Sequence, residues 1–401
     1  MSHAPSPLPY HLAVVDYLKR EEADLWKWFS STRTRSEYAD AIRLDLLKST
    51  YRIEPATQPK LYAGAQEVLA KYSLQVPVTF YQAQTGAGMN ASLAYIPGEA
   101  HIILAGPVLA ALSEVELLAV LGHELAHFLL FDQWEGQFLT ATELLDGLCN
   151  DAAAAPAHVE TGRLFRLYSE VFADRGALHA SQDTTAAIST LIKMETGLTE
   201  VSAESYLRQA EEIFSKSQAS ANQLTHPESY IRARALKLWA DQGEHAAGEI
   251  DRMIQGAPTL DRLDLLGQQR VAGTTRRLLK LFLAPAWSQT EPLLAHARLF
   301  FSDFAADGMS EESVLMNELQ ALAPSLRDYY CYVLLDFVAV DRELVENSLA
   351  SALVLSKRLG FGERFTELAQ KELGISKRHF GKIERDAEAI VARASEAEAD
   401  K

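Results

Sequence analysis

Residues 123–127 of this 401-residue chain have the order His-Glu-Leu-Ala-His, a spacing suited to metal chemistry. In a helix, side chains four positions apart share one face, so His123 and His127 can direct ring nitrogens at a single ion. Glu124 lies beside them, where it can take a proton from a water that such an ion holds. The alternative is a pair of core histidines that hydrogen-bond to the backbone or to a carboxylate.

The segment that carries this motif has the composition of a buried helix. Residues 113–131 are apolar almost all the way round, which is typical of a helix packed in a core. Ser113 followed by Glu116 is a capping-box pattern and predicts where the helix begins. Three ionisable side chains in such a helix are costly to bury unless a partner satisfies them, and a zinc ion would do so.

Zinc requires a third protein ligand and a fourth position open to water. Glu170 is the best candidate, because it lies with Asp174 on the edge of a helical apolar stripe between residues 164 and 178. Asp174, one turn further on, can accept the second N–H group of a liganding imidazole. The alternative is an exposed acidic pair on an amphipathic helix.

These motifs resemble those of the gluzincin metallopeptidases of the HtpX and CAAX-prenyl-protease type, in which His-Glu-x-x-His is followed by Glu-x-x-Ala-Asp. Three flanking segments, residues 90–94, 100–104 and 112–117, resemble the corresponding family segments in the same order. Farther on, His226-Pro227 with Arg232 resembles the His-Pro-x-x-x-x-Arg element. The resemblance covers residues 60–240.

The resemblance implies a role for each matching residue. His123, His127 and Glu170 would bind one Zn²⁺ per chain, Glu124 would be the general base, and Asp174 would support the ligands from behind.

Two further elements complete the expected site. By resemblance, Arg232 would lie behind the ligands and His226 would lie near the metal and stabilise the oxyanion. In zincins of this general shape a strand edge receives an extended peptide, and Asn90 and Ala91 are our candidates for that edge. The alternative for these two residues is a plain hairpin.

Composition limits the partners and the compartment. The net charge of −16 argues against nucleic acid or an anionic membrane surface as partner. No window approaches the ~18 to 20 apolar residues needed to span a bilayer, unlike the membrane members of the family, and the first residues do not form a secretion signal. Cys149 and Cys331 are far apart and expected to be buried, so a reducing compartment is the default. We therefore expect a soluble, cytoplasmic form.

The expected fold is mainly α (α+β): a zincin-like domain with a small β-sheet over the zinc helix, plus an all-α C-terminal domain. We predict one or two helices in residues 10–53 and strands at 76–81 and 92–104. The predicted divisions are an N-terminal helical segment (1–59), a metallopeptidase domain (60–245), a helical linker (246–289) and a C-terminal domain (290–401).

The C-terminal region has a weak internal repeat. Residues 303–312 are echoed by 336–346, and each copy has the pattern of a helix end, an Asp-led turn and a new helix with acids in its first turn. The region resembles the TerB-like helical domain, whose Ala-Asp-Gly signature matches residues 306–308. This resemblance implies a metal- or partner-binding module. The alternative is capping acids on an ordinary helix bundle.

Together these patterns predict a soluble zinc-dependent metalloendopeptidase that acts on a protein or peptide and has a C-terminal accessory domain for a protein partner. Two other functions fit the same sequence. One is a catalytically silent zinc protein that recruits partners through its C-terminal domain. The other is a metal-free scaffold built on a decayed peptidase fold.

Overall fold

The computed structural model describes residues 4–31, 33–84, 88–150, 153–217, 219–306, 312–320 and 322–399. These residues are mainly helical with one small sheet, which confirms the predicted fold class. The chain divides into two compact units, Met1–Gly256 and Ala257–Lys401.

The first unit combines helices with all the strands of the described chain. Its helices are α1 (Pro9–Glu21), α2 (Ala23–Ser30), α3 (Arg33–Ser49), α4 (Pro59–Tyr72), α5 (Val108–Ala111), α6 (Glu114–Asp132), α7 (Gln137–Cys149), α8 (Pro156–Ser181), α9 (Thr184–Thr196), α10 (Ala203–Lys216), α11 (Ser229–Gln242) and α12 (Ala247–Gln255). Its strands are β1 (Thr50–Ile53), β2 (Val78–Ala83), β3 (Asn90–Ile96) and β4 (Glu99–Ala105).

The sheet has the order β1-β2-β4-β3, with β2 and β4 parallel and the two outer pairs antiparallel. The prediction of one strand over residues 92–104 is wrong, because the chain reverses at Pro97-Gly98 and forms the β3–β4 hairpin. Gly98 has φ +75°, a conformation that favours glycine. Residues 10–53 form three helices and end in β1, which the sequence did not predict.

The inner face of the sheet packs on α6 and α4. Tyr95 of β3 contacts Phe128 and Phe131 of α6, with ring centroids 5.4 and 5.8 Å apart. Tyr62 of α4 meets Phe80 of β2 edge-on at 5.0 Å. The sheet therefore lies over the helix that carries the histidine motif, as predicted.

Helix α6 begins where the capping box predicts. The Glu116 backbone N–H donates to Ser113 Oγ at 3.4 Å, and the Ser113 N–H donates to the Glu116 carboxylate at 2.8 Å. The same carboxylate pairs with Lys193 of α9 at 2.8 Å and is buried. The Glu116 side chain thus caps α6 and also links α9 to it through an ion pair.

The second unit is helical throughout its described part and has its own apolar core. Its helices are α13 (Leu265–Phe282), α14 (Glu291–Phe300), α15 (Glu312–Gln320), α16 (Pro324–Val340), α17 (Val345–Arg358), α18 (Gly362–Glu372) and α19 (Lys377–Ala399). Phe282, Phe337, Phe365 and Phe380 are at most 1% exposed within this core. The predicted linker, 246–289, includes α12 of the first unit and α13 of the second; the domain boundaries stay a prediction.

The repeat aspartates of the second unit have local partners where the structure describes them. Asp341 accepts hydrogen bonds from the Glu343 N–H (3.0 Å) and the Thr290 hydroxyl (2.9 Å). Asp303 pairs with Arg276. Asp307 and Gly308, which carry the TerB-like signature, lie outside the described residues. The described acids behave as capping and ion-pairing groups, and the TerB-like assignment stays a prediction.

The structure describes the burial of the two cysteines and the apolar character of the helices. Cys331 is buried as expected, whereas Cys149 is only partly buried, because it lies at the last turn of α7. In the described parts of the chain, none of the helices has the length and apolar character needed to span a bilayer.

Candidate metal centre

Ligand atoms of three side chains from α6 and α8 lie close together. His123 Nε2 and His127 Nε2 are 3.3 Å apart; Glu170 Oε2 lies 3.4 Å from His123 Nε2, and Glu170 Oε1 lies 3.4 Å from His127 Nε2. A tetrahedral ion with bonds of ~2.0 to 2.1 Å holds its ligand atoms about 3.3 to 3.4 Å from one another. The spacing of the three side chains therefore fits a zinc ion.

The chemistry of Glu170 gives a second test of this fit. Its side chain is buried, yet within the described structure Oε2 accepts no hydrogen bond. A buried carboxylate oxygen without a hydrogen bond is costly, and a cation between it and the two imidazoles would satisfy it. Of the described residues, His123, His127 and Glu170 form the one group of histidine, cysteine and acidic side chains placed to hold a metal.

Close packing of α6 against α8 brings the ligands together. A Cβ atom added at Gly122 would lie 2.4 Å from Ala180 Cβ and 2.9 Å from the Gly176 carbonyl oxygen. A Cβ atom at Gly176 would lie 2.4 Å from Ala126 Cβ. The two backbones therefore approach so closely that neither position leaves room for a side chain. Our sequence analysis missed these glycines, although glycine inside a helical pattern is itself a signal of close backbone packing.

Asp174 lies next to His123, at the ring nitrogen away from Glu170, and Arg232 pairs with Asp174. The Nδ1 atom of His123 is 3.1 Å from the Asp174 carboxylate, so an N–H there donates to Asp174 and leaves Nε2 free to face an ion. Arg232 donates two hydrogen bonds to the same carboxylate, at 2.8 and 2.6 Å. Glu170 and Asp174 are both buried, so they are not the exposed acidic pair of the alternative interpretation.

The electrostatics of the site favour a positive charge between the ligands. Burial lowers the pKa of His123, but the nearby carboxylates of Asp174 and Glu170 outweigh it and raise the pKa to about 10. Burial acts to raise the pKa of Glu170, yet the two imidazoles hold it well below its usual range.

Glu124 differs from Glu170 in its electrostatic setting. Its side chain is buried, and burial raises its pKa against the opposing influence of His123 and His127. A carboxylate whose pKa is raised toward neutrality is suited to take up and return a proton.

A cleft of about 460 Å³ opens beside these residues. Glu124, His123 and Glu170 line it, and so do Asn90 and Ala91. Both of the latter belong to β3, which is an outer strand of the sheet and an arm of the hairpin. Their role in binding a substrate backbone stays a prediction.

His226 also lines the cleft, on the chain segment between α10 and α11. Its side chain is exposed; Nε2 lies 3.5 Å from Glu170 Oε2, and Nδ1 lies 3.0 Å from the Thr225 hydroxyl. The buried Arg163 of α8 holds this segment by donating to the carbonyl oxygens of Ala221 and Gln223, both at 3.2 Å. Our sequence analysis missed Arg163, because only the tertiary fold brings it to the segment.

A comparison with known protein families finds a match to the part of the chain that contains the candidate metal centre. Residues 55–240 match the model of peptidase family M48. No curated protein and no solved structure matches the chain. The matched residues contain the three candidate ligands, Glu124 and the supporting pair Asp174 and Arg232. The match supports a protease of the gluzincin metallopeptidase type.

Proposed function

We propose that this protein is a zinc-dependent metalloendopeptidase that cleaves a protein or peptide substrate. The observation that carries the proposal is the convergence of the His123, His127 and Glu170 ligand atoms next to the cleft that Glu124 lines. A zinc ion bound by these residues would polarise the peptide carbonyl and activate a water for attack on it.

The chain's own residues then have distinct tasks. The outer edge of β3 at Asn90 and Ala91 binds the substrate backbone in an extended conformation. Glu124 accepts the proton of the attacking water and delivers it to the leaving amine. His226 donates a hydrogen bond to the oxyanion. Asp174 fixes the tautomer of His123.

Replacing Glu124 by Gln tests the proposal directly, with unfolded casein as substrate. We expect hydrolysis to fall by roughly 10²- to 10⁴-fold, the usual contribution of general acid–base catalysis, while the zinc content stays at one per chain. Glu114→Gln is a matched control, because Glu114 lies on the same helix but is exposed and pairs with Lys60. The control should keep wild-type activity.

Two results would contradict the proposal. Undiminished hydrolysis by Glu124→Gln, in a preparation free of other proteases, would remove the assigned base. A wild-type protein that holds zinc but cleaves nothing in a broad substrate screen would instead favour a silent zinc protein that recruits partners. The cytoplasmic location and the partner role of the C-terminal unit stay predictions.

A further inference from the structure

The chain segment that carries His226 has no regular structure of its own. Residues 219–228 join α10 to α11 and form neither a helix nor a strand. Gln223 and His226 of this segment both line the cleft. Irregular backbone is more mobile than a helix unless other elements hold it, so the place of these side chains depends on what anchors the segment.

A buried guanidinium of α8 anchors the backbone of this segment. Arg163 is 4% exposed, and its Nη1 atom donates to the carbonyl oxygens of Ala221 and Gln223, both at 3.2 Å. Hydrogen bonds from a charged donor are stronger than those between neutral groups. One side chain therefore fixes two backbone positions just before His226.

Glu160 fixes the guanidinium in turn. It lies one turn earlier on α8, and its carboxylate accepts hydrogen bonds from Arg163 Nε at 2.8 Å and Nη2 at 2.7 Å. This two-point pairing sets the plane of the guanidinium and leaves Nη1 for the segment. The single ammonium group of a lysine could not replace all four hydrogen bonds, because it has no such fork of donors.

Helix α8 carries both this anchor and one of the candidate ligands. Arg163 and Glu170 are seven residues apart, which is about two turns of one helix. His226 Nε2 lies 3.5 Å from Glu170 Oε2. Because Arg163 holds the segment from the same helix, α8 sets the position of His226 relative to the ligands.

We propose that Arg163 is a positioning residue for the reaction. By holding the carbonyl oxygens of Ala221 and Gln223, it keeps the imidazole of His226 where the oxyanion forms. Arg163 itself is not among the described residues that line the cleft, so it acts through the segment and does not touch the substrate. This inference rests on the proposed peptidase function and on the task given there to His226.

Arg163→Gln tests the inference on a defined peptide, chosen from a library as one that the wild type cleaves. Glutamine loses the charge and the two-point pairing with Glu160. We expect kcat to fall by roughly 10- to 100-fold, because a misplacement of about 1 Å costs up to this much. KM should change less, since His226 acts on charge that develops in the transition state. Arg163→Lys should lose less activity, and both variants should hold one zinc per chain.

A double-mutant cycle tests if Arg163 acts through His226. We expect His226→Ala alone to lower kcat by roughly 10²- to 10³-fold, the usual cost of one oxyanion donor. In the His226→Ala protein, Arg163→Gln should lower kcat by no more than about twofold, because the side chain that it positions is gone. Arg166→Gln is the matched control, because Arg166 lies on the same helix but pairs with Asp146 and is partly exposed. It should keep the wild-type kcat.

The outcomes separate this inference from the proposed function. A wild-type kcat for Arg163→Gln would overturn it, and so would an equal fall in kcat with and without His226. If Arg163→Gln does not fold, Arg163→Lys takes its place in the cycle, because its charge still faces Glu160. If His226→Ala keeps the wild-type kcat while Glu124→Gln loses activity, the peptidase stands and this inference is wrong. If the wild type with zinc cleaves no peptide, both are wrong.

Discussion

At the residue scale, both ring nitrogens of His123 have assigned partners. Nε2 faces Glu170 and Nδ1 faces Asp174, whose second oxygen is held by Arg232. A carboxylate behind a liganding histidine fixes the ring orientation and raises the basicity of the ligand. We therefore predict that the Asp174–Arg232 pair would act on a bound metal through His123.

We expect Asp174→Asn to weaken zinc binding by about 10- to 100-fold, because the amide keeps the shape but loses the charge that supports His123. Competition with a chromogenic chelator measures the zinc Kd. Asp146→Asn, which removes a partly exposed ion pair with Arg166, serves as control and should leave the Kd unchanged. An unchanged Kd for Asp174→Asn would show that this carboxylate does not support the metal.

His11 gives the first unit a pH-dependent stability. Its side chain is fully buried on α1 among aromatic rings that include Phe165 and Phe172, and burial lowers its pKa to about 3. Between pH 6.5 and 3 the unfolded chain binds a proton there that the folded chain does not. The free energy of unfolding therefore falls as pH decreases below about 6.5, by roughly 1.4 kcal/mol per pH unit.

His11→Phe should remove this part of the pH dependence, because phenylalanine suits the aromatic surroundings and does not titrate. Urea unfolding at pH 7, 6 and 5 measures the free energies of wild type and variant. From pH 7 to 5 the variant should lose about 2 kcal/mol less than the wild type. His245→Phe, at an exposed position, should keep the wild-type slope; a parallel slope for His11→Phe would refute a neutral buried His11.

The sequence specifies some residues of the site and not others. His123 and His127 could be predicted as a pair, because ligand spacing within a helix is a local property. Glu170 lies on a second helix, so only its helical pattern and the family resemblance indicated it. The alanines that line the cleft could not be predicted, since Ala187 is one of many alanines in helices and only tertiary packing brings it into one cluster with Ala119 and Ala177.

At the element scale, the contact of α6 with α8 controls the distance between histidines and carboxylate. We expect Gly122→Ala or Gly176→Ala to destabilise the first unit by about 1 to 3 kcal/mol, the usual cost of overpacking. Because the added methyl group would push α6 and α8 apart, zinc binding should also weaken. Thermal unfolding with and without zinc measures both effects.

Gly248→Ala is the matched control for these variants. Gly248 lies in α12, and an added Cβ atom would meet nothing within 4 Å. Alanine has the higher helix propensity, so this variant should be neutral or stabilising by up to about 1 kcal/mol. Gly122→Ala with wild-type stability and zinc affinity would show that the helices do not need this close contact.

The strands were harder to predict than the helices. The Pro97-Gly98 dipeptide is a turn signal within residues 92–104, and the apolar run around it led to the prediction of one strand. Strand β1 follows α3 directly, and pairing with β2 decides its conformation. Helix α6, by contrast, has a long apolar pattern over residues 113–131 that matches its observed bounds closely, and the stripe over 164–178 lies within α8, which begins eight residues earlier.

At the scale of the whole molecule, the chain has two units with separate cores. The candidate ligands all belong to the first unit, Met1–Gly256, whereas the second unit, Ala257–Lys401, is helical. Calorimetry should therefore resolve two unfolding transitions. Removing zinc with a chelator should lower the Tm of one and leave the other unchanged, because binding stabilises only the unit that holds the ion.

His127→Ala should reproduce the effect of the chelator and abolish its further action. Phe365→Ala, in the core of the second unit, should lower only the other transition. A single transition that shifts as a whole under both changes would contradict the independence of the two units.

The most direct test of the account is the position of zinc in crystals of the full chain, located by anomalous diffraction at the zinc edge. We predict one peak per chain, at about 2.0 to 2.2 Å from His123 Nε2, His127 Nε2 and a Glu170 oxygen. Zinc bound at any other group of residues, or no peak at these side chains in crystals grown with zinc, would contradict the proposed metal centre.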